Sequence, residues 1–102
     1  MSRREQLEQM LAESPEDGFL RYALAMELKS AEEYVESLKL FDGLMNEDPP
    51  HVPAFFMAGQ VLAADDRVDE AQAVLAAGIE QAQIQNDLHA AEEMTGFLAS
   101  LE

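Results

Sequence analysis

The residues with the greatest chemical potential are two histidines and a run of acids. His51 and His89 are isolated from each other, and the chain has no cysteine and no second ligand at metal spacing beside either one. The acidic run 65–70 lacks the alternation and the glycine of a calcium loop, and Arg67 interrupts it. No glycine-rich phosphate loop or dinucleotide fingerprint occurs. The sequence therefore predicts no metal, no cofactor and no enzyme activity.

The charge of the chain narrows the class of partner. The 21 Asp and Glu residues outnumber the six Lys and Arg residues, and the formal net charge is -15. Such a surface repels phosphate backbones, so we expect no nucleic-acid partner. Two interpretations of the charge stay open: a solvated acidic coat of the kind suited to high salt, or a surface that attracts a basic partner.

Length and hydropathy indicate one domain without a membrane span. The chain has 102 residues, too few for two domains that each bury a stable core. Its longest nearly apolar stretch, 54–64, is interrupted by Gln60 and falls short of the roughly 18 to 20 residues that cross a bilayer. The first residues also lack the apolar region of a signal peptide, and we therefore expect a cytoplasmic protein.

An internal repeat organises the chain, since its second half matches its first at a shift of 34 residues. The matching pairs agree in size and polarity: Tyr22 with Phe56, Leu28 with Leu62, Tyr34 with Val68, Glu36 with Glu70, Phe41 with Leu75, and Met45 with Ile79. Each half carries two apolar stripes of helical period, joined by a short polar break. The sequence therefore predicts pairs of helices.

The breaks between stripes resemble helix starts and turns. Residues 30–33, Ser-Ala-Glu-Glu, have the form of a capping box, and Asp66 offers a cap at the corresponding place. Residues 14–17 are expected to cap the helix that follows them. Three prolines within 48–53 force a turn, and Pro53 suits the first turn of the following helix.

The two ends of the chain differ from the repeats. Residues 3–13 resemble the second helix of a repeat, because the spacing of Leu7, Met10, Leu11 and Pro15 matches that of Phe41, Leu44, Met45 and Pro49. The last stripe, which begins at Leu88, departs from the 34-residue register and predicts a capping helix. We predict one domain: a partial repeat at 1–15, repeats at 16–49 and 50–84, and a capping helix at 85–102.

These features resemble the tetratricopeptide-repeat family, which has large, small and aromatic residues at fixed offsets. The matching positions are Leu24, Ala25, Leu28, Ser37, Phe41 and Pro49 in the first repeat, and Phe55, Ala58, Gly59, Leu62, Ala71 and Leu75 in the second. Arg21 replaces the usual aromatic residue, and Gln83 replaces the usual proline, so that helix is expected to continue toward Asn86. The resemblance implies an all-α fold of antiparallel helix-turn-helix repeats, an α-solenoid of about six helices.

The resemblance also implies a function, because the first helices of such repeats line a concave surface that takes a peptide or helix of another protein. The residues that this register places there are Phe19, Tyr22, Met26, Lys29, Phe56, Gln60 and Ala63. The family's carboxylate clamp of Lys, Arg and Asn is not expected, since Lys29 is the only basic group on this face. We therefore predict a protein-interaction module with an apolar contact surface.

Two alternatives stay open from the sequence. The aromatic residues of this face could pack on neighbouring helices and form no site. The open ends of the array could instead stack on a second copy of the chain. The residues relevant to that homo-oligomer are Leu7, Met10 and Leu11 at one end, and Met94, Phe97 and Leu98 at the other.

Overall fold

The computed structural model describes residues 2–102, which form six helices. These are α1 (Arg3–Glu13), α2 (Gly18–Ser30), α3 (Tyr34–Met45), α4 (Val52–Ala64), α5 (Val68–Ile84) and α6 (Leu88–Ser100). Each helix packs on the next one along the chain, and α4 also contacts α2 and α6. The predicted all-α fold of about six helices is confirmed. Within residues 2–102, none of the helices combines the length and apolar character that a bilayer crossing requires.

Three helices begin with a side chain that caps the backbone. Ser2 and Glu5 form a capping box at the start of α1, where each side chain accepts from the other residue's amide. The Asp17 carboxylate accepts from the Leu20 amide at 3.1 Å and starts α2. Asp87 accepts from the Ala90 amide at 3.2 Å and starts α6. These caps fix where the two helices that flank the candidate site begin.

The predicted capping box at residues 30–33 is wrong. Ser30 is the last residue of α2, and Glu33 precedes α3 without a side-chain cap. Instead, the Glu33 amide donates to the Leu28 carbonyl at 2.9 Å and the Glu32 amide donates to Lys29 at 3.0 Å, which together form a Schellman motif. Only three residues separate the two helices. The Glu32 and Glu33 amides, which a side-chain cap would have bound, therefore donate to the last carbonyls of α2.

The same arrangement recurs at two further turns, and it overturns the Asp66 cap as well. Glu32, Asp66 and Asn86 all have left-handed backbone, with φ of 61°, 59° and 60°. The Arg67 amide donates to Leu62 at 2.8 Å in the second turn, and Asp87 donates to Ala82 at 2.7 Å in the third. Asp66 therefore lies in the turn that terminates α4, and the residue before α5 is Arg67, which makes no side-chain cap. None of these three turns uses the glycine that usually fills the left-handed position.

Small residues allow the helices to approach closely at three points. A methyl group on Gly59 would lie 2.7 Å from Leu75, and one on Gly78 would lie 2.5 Å from Phe55. Between α2 and α3, the buried Ser37 hydroxyl donates to the Ala25 carbonyl at 3.1 Å. The repeat residues predicted from the sequence are buried apart from Pro49, which is exposed. The core thus runs along the array between successive helices.

Arg21 stands at the position where an aromatic residue is usual, and its side chain reaches from α2 to the turn that follows α3. Its guanidinium pairs with the Glu47 carboxylate, and its side chain is 16% exposed. Within residues 2–102, Arg21 Nε is the single buried side-chain nitrogen or oxygen without a hydrogen-bond partner. An ion pair therefore occupies the place of an aromatic contact between the repeats.

Candidate functional site

A hollow beside α2 gathers the apolar residues that the sequence placed on one helix face. Phe19, Tyr22 and Met26 are three and four residues apart, so α2 presents them on the same side. We call this space of about 670 Å³ the α2 hollow; its apolar lining comes from Phe19, Tyr22, Ala23, Met26 and Pro53, and His51 adds to its wall. Phe19 is 78% exposed at its edge. The hollow thus offers an open apolar surface.

Tyr22 lines the α2 hollow and also contacts the core. Its ring meets the edge of Phe41 at 5.9 Å between centroids and that of His51 at 5.2 Å. Burial raises the pKa of the Tyr22 hydroxyl. Burial, and secondly the Arg21 guanidinium, lower the pKa of His51. His51 therefore favours its neutral form in this wall.

The remaining predicted residues lie in two further hollows. Lys29, Gln60 and Ala63 line the second, of about 430 Å³, together with Tyr34 and Phe97. We call it the Lys29 hollow. It lies at the ends of α2 and α4 that precede the Schellman turns. The structure therefore groups these three predicted residues, but separately from Phe19, Tyr22 and Met26.

Phe56 contributes to neither of these spaces. Its ring meets that of Phe97 on α6 at 5.8 Å between centroids. It lines a third hollow of about 280 Å³, the α4–α6 hollow, whose wall also includes Pro53, Met57, Asp87, His89 and Glu93. Pro53 belongs to both the first and the third hollow, and Phe97 links the second to Phe56. We call the three hollows together the groove, which follows α2, α4 and α6.

Sequence reasoning missed several residues of this groove. From the sequence, Pro53 indicates a helix start and His51 is isolated, yet both residues line the α2 hollow. The contribution of α6 was also missed, because that helix departs from the 34-residue register and was interpreted as a cap. The apolar stripe of α6 was the available signal, since an unpaired first helix of a repeat would carry one as well.

The charged groups of the groove are few and unevenly placed. Arg3 Nε and Glu27 Oε1 form an ion pair of 2.9 Å at the rim of the α2 hollow. Within residues 2–102, Lys29 is the one Lys or Arg side chain that forms no ion pair. No cluster of three His, Cys, Asp or Glu side chains in this part of the chain is placed to hold a metal ion.

Comparison with solved structures identifies the family. The solution NMR structure of a tetratricopeptide repeat domain protein from Salinibacter ruber shares 33% sequence identity and a TM-score of 0.80 with this chain. The match covers 86% of this chain and 89% of that one. This chain belongs to the tetratricopeptide-repeat family. Tetratricopeptide repeats are in general protein-interaction modules, and their fold is typically non-enzymatic.

A second solved structure resembles this tetratricopeptide-repeat chain along nearly all of its length. It is the solution structure of a protein from Bordetella parapertussis, with 25% identity and a TM-score of 0.86. That match covers 99% of this chain and 88% of the other. No family model matches the sequence, and no curated protein does. The tetratricopeptide-repeat structure thus matches most of this chain, and the second structure matches nearly all of it.

Proposed function

We propose that this tetratricopeptide-repeat chain binds a peptide or helix of a partner protein through the groove. The observation that carries the proposal is the exposure of Phe19, at 78%, on the edge of an apolar hollow. A large aromatic side chain in water contributes nothing to the stability of the chain by burial. Covering it with an apolar side chain of a partner would remove that surface from water and stabilise a complex.

The neighbours of Phe19 support an adaptable apolar contact. Met26 is half-buried on the same face of α2, and its flexible thioether can adjust to ligands of different shape. Pro53 supplies a rigid opposite wall from α4. These side chains leave room for one or two apolar side chains of a bound segment, which is how helices and extended peptides anchor in grooves.

Packing within the chain accounts for two of the aromatic residues but not for Phe19. Tyr22 contacts Phe41 and His51, and Phe56 contacts Phe97. Phe19 makes no such ring contact within residues 2–102. A role in the core therefore explains Tyr22 and Phe56 in part, whereas the position of Phe19 favours binding.

The alternative, self-association through the array ends, has less apolar surface available to it. Leu7 is 4% exposed and Met94 is fully buried, because each packs inside its own chain. Leu11, Phe97 and Leu98 are half-buried. Met10 is the only exposed residue of this set, with 50% of its surface accessible. Because most residues of this set are buried or half-buried, we favour the groove as the contact surface.

A pull-down with matched variants tests the proposal. Phe19→Ser/Met26→Gln removes the apolar edge of the α2 hollow, and Val35→Ser/Ile84→Gln removes side chains of 66% and 67% exposure that lie outside the groove. We expect the native lysate to yield a protein that the wild-type chain and the control retain and the groove variant loses. Because Phe19 would be an anchor, binding of that protein should weaken about tenfold or more.

Circular dichroism and thermal unfolding first establish that both double variants keep the helical fold. If all three chains retain the same proteins, or if the wild-type chain retains none, the groove is not a binding surface. Sedimentation of the wild-type chain alone addresses the alternative, since a concentration-dependent dimer that both variants preserve would point to the array ends.

A further inference from the structure

We propose that the partner segment is basic, with an apolar side chain in the α2 hollow and an Arg or Lys side chain at the α6 end of the groove, against Asp87 and Glu93. This inference rests on the proposed function and names the chemistry of its partner. It follows from the continuity of the groove and from the distribution of charge along it.

The α2 hollow and the α4–α6 hollow form one path because Pro53 lines both. Beyond Pro53 the floor continues as Phe56 and Met57. Asp87 and Glu93 are the carboxylates that line the same α4–α6 hollow. A segment that follows this path therefore passes from an apolar to an acidic environment.

The two carboxylates have no cationic partner from Arg or Lys. Among the described residues, neither Asp87 nor Glu93 is within ion-pair distance of an Arg or Lys nitrogen. Asp87 holds the Ala90 amide at 3.2 Å, and Glu93 Oε1 lies 3.4 Å from His89 Nε2. The Glu93 side chain is 50% exposed. Both groups thus remain open to a cation from outside.

The α2 side of the groove lacks this excess of negative charge. Glu27 is already paired with Arg3 at 2.9 Å, and Lys29 adds a positive charge in the Lys29 hollow. The negative charge of the groove that is not paired with Arg or Lys is therefore concentrated at α6. A bound basic group is expected at that end and not beside α2.

The net charge of the whole chain also favours a basic partner. Net charge is -15, and Arg3, Arg4, Arg21, Lys39 and Arg67 are each paired with a carboxylate of the chain itself. The long-range field accelerates the approach of a basic segment and opposes an acidic one. It also opposes a second copy of this chain, which carries the same charge. A basic segment of another protein is the occupant that both the field and the groove favour.

The experiment uses a random peptide display library selected on the whole chain, with the folded Phe19→Ser/Met26→Gln variant for counter-selection. Enriched peptides are synthesised with a fluorescent label, and their affinity is measured by anisotropy at about 0.05 M and about 0.5 M NaCl, where screening differs strongly. We expect the peptides to combine an apolar side chain with Arg or Lys.

The decisive variant is Asp87→Asn/Glu93→Gln. It removes both charges while Asn keeps the ability to cap α6. We expect it to weaken binding of the selected peptides about fivefold at low salt, since two partly exposed charge pairs are lost. The difference from wild type should disappear at high salt. The matched control is Glu13→Gln/Glu80→Gln, which removes two charges from residues outside the groove and should change affinity by less than about twofold.

Other outcomes separate the two proposals. Selected peptides that need Phe19 and Met26, but lack Arg and Lys or bind Asp87→Asn/Glu93→Gln equally well, keep the groove function and refute the basic partner. An equal loss with Glu13→Gln/Glu80→Gln would attribute the attraction to the acidic coat as a whole, which also refutes the site. A library from which no peptide depends on Phe19 would overturn the proposed function itself.

Discussion

Gly78 and Gly96 offer a direct test of how tightly α5 is packed, because the same substitution should have opposite effects at the two positions. Both glycines lie inside helices, Gly78 in α5 and Gly96 in α6. A β-carbon on Gly78 would lie 2.5 Å from Phe55 Cβ and 2.6 Å from Met94 Sδ. One on Gly96 would have no neighbouring heavy atom within 4 Å in the described chain. Only the packing differs between the two sites.

The magnitude follows from two terms. Alanine in place of glycine favours a helix by about 1 kcal/mol, so Gly96→Ala should raise the free energy of unfolding by about that amount. At Gly78 the same gain is opposed by overpacking, which costs typically about 1 to 3 kcal/mol. The Phe55 contact is with the stem of the side chain, which cannot move without its backbone. We therefore expect Gly78→Ala to lose about 1 kcal/mol net, which leaves a gap of about 2 kcal/mol between the variants.

Urea and thermal unfolding followed by circular dichroism measure this gap. For a domain of this size, about 2 kcal/mol corresponds to roughly 8 to 16 °C between the two melting temperatures. The helical content of both variants before unfolding serves as the control for a preserved fold. If Gly78→Ala is as stable as Gly96→Ala or more so, then α4, α5 and α6 do not meet as closely as the structure has them.

Two further predictions concern the turns and the groove wall. Glu32→Gly should raise the free energy of unfolding by about 0.5 to 1 kcal/mol, because φ is 61° there and glycine adopts that backbone without strain; an unchanged or lower urea midpoint would contradict it. His51 has its pKa lowered in the folded chain, so its contribution to stability is present above the ordinary value of 6.5 and is lost as the pH falls below it. His51→Gln should therefore lose less stability than wild type between about pH 7 and 5.5 in thermal unfolding, and an equal loss in both chains would contradict this.

The helices themselves were predictable because their signals are local. The apolar stripes at a shift of 34 residues mark α2 to α5, and the N-terminal match marks α1 at residues 3–13, as found for Arg3–Glu13. The absence of the usual proline at Gln83 indicated a longer helix, and α5 does continue to Ile84. These features depend on period and on breakers, both of which are written in short stretches of sequence.

The turns were predicted wrongly because the same sequence pattern occurs at the start of a helix and at its end. Ser30 to Glu33 satisfies the formula of a capping box, but the short connection makes it the end of a helix. The left-handed residues are Glu32, Asp66 and Asn86, none of which is the glycine that marks such a position in a sequence. Whether these amides face a side chain or a carbonyl is decided by how α2 and α3 pack, which a local pattern does not contain.

The groove was predictable only in part, although Lys29 of α2 does lie in one hollow with Gln60 and Ala63 of α4. Phe19, Tyr22 and Met26 came together because helical spacing alone places them on one face. Phe56 was separated from them because α6 packs beside it, and the position of α6 is set by contacts with α4 and α5. The importance of Gly78 is not visible in the sequence for the same reason, because it depends on contacts with Phe55 and Met94 from two other helices.

The array is connected as a chain of neighbours, and this has a mechanical consequence. In the described part of the protein, α2 and α6 do not contact each other, and both are joined through α4. α2 and α6 can therefore open locally and independently of each other while α4 stays folded. A segment seated from the α2 hollow to Asp87 would act as a cross-brace between these two helices. Binding in the groove would then make α2 and α6 more resistant to local opening. Slower amide exchange in these two helices would therefore report on binding.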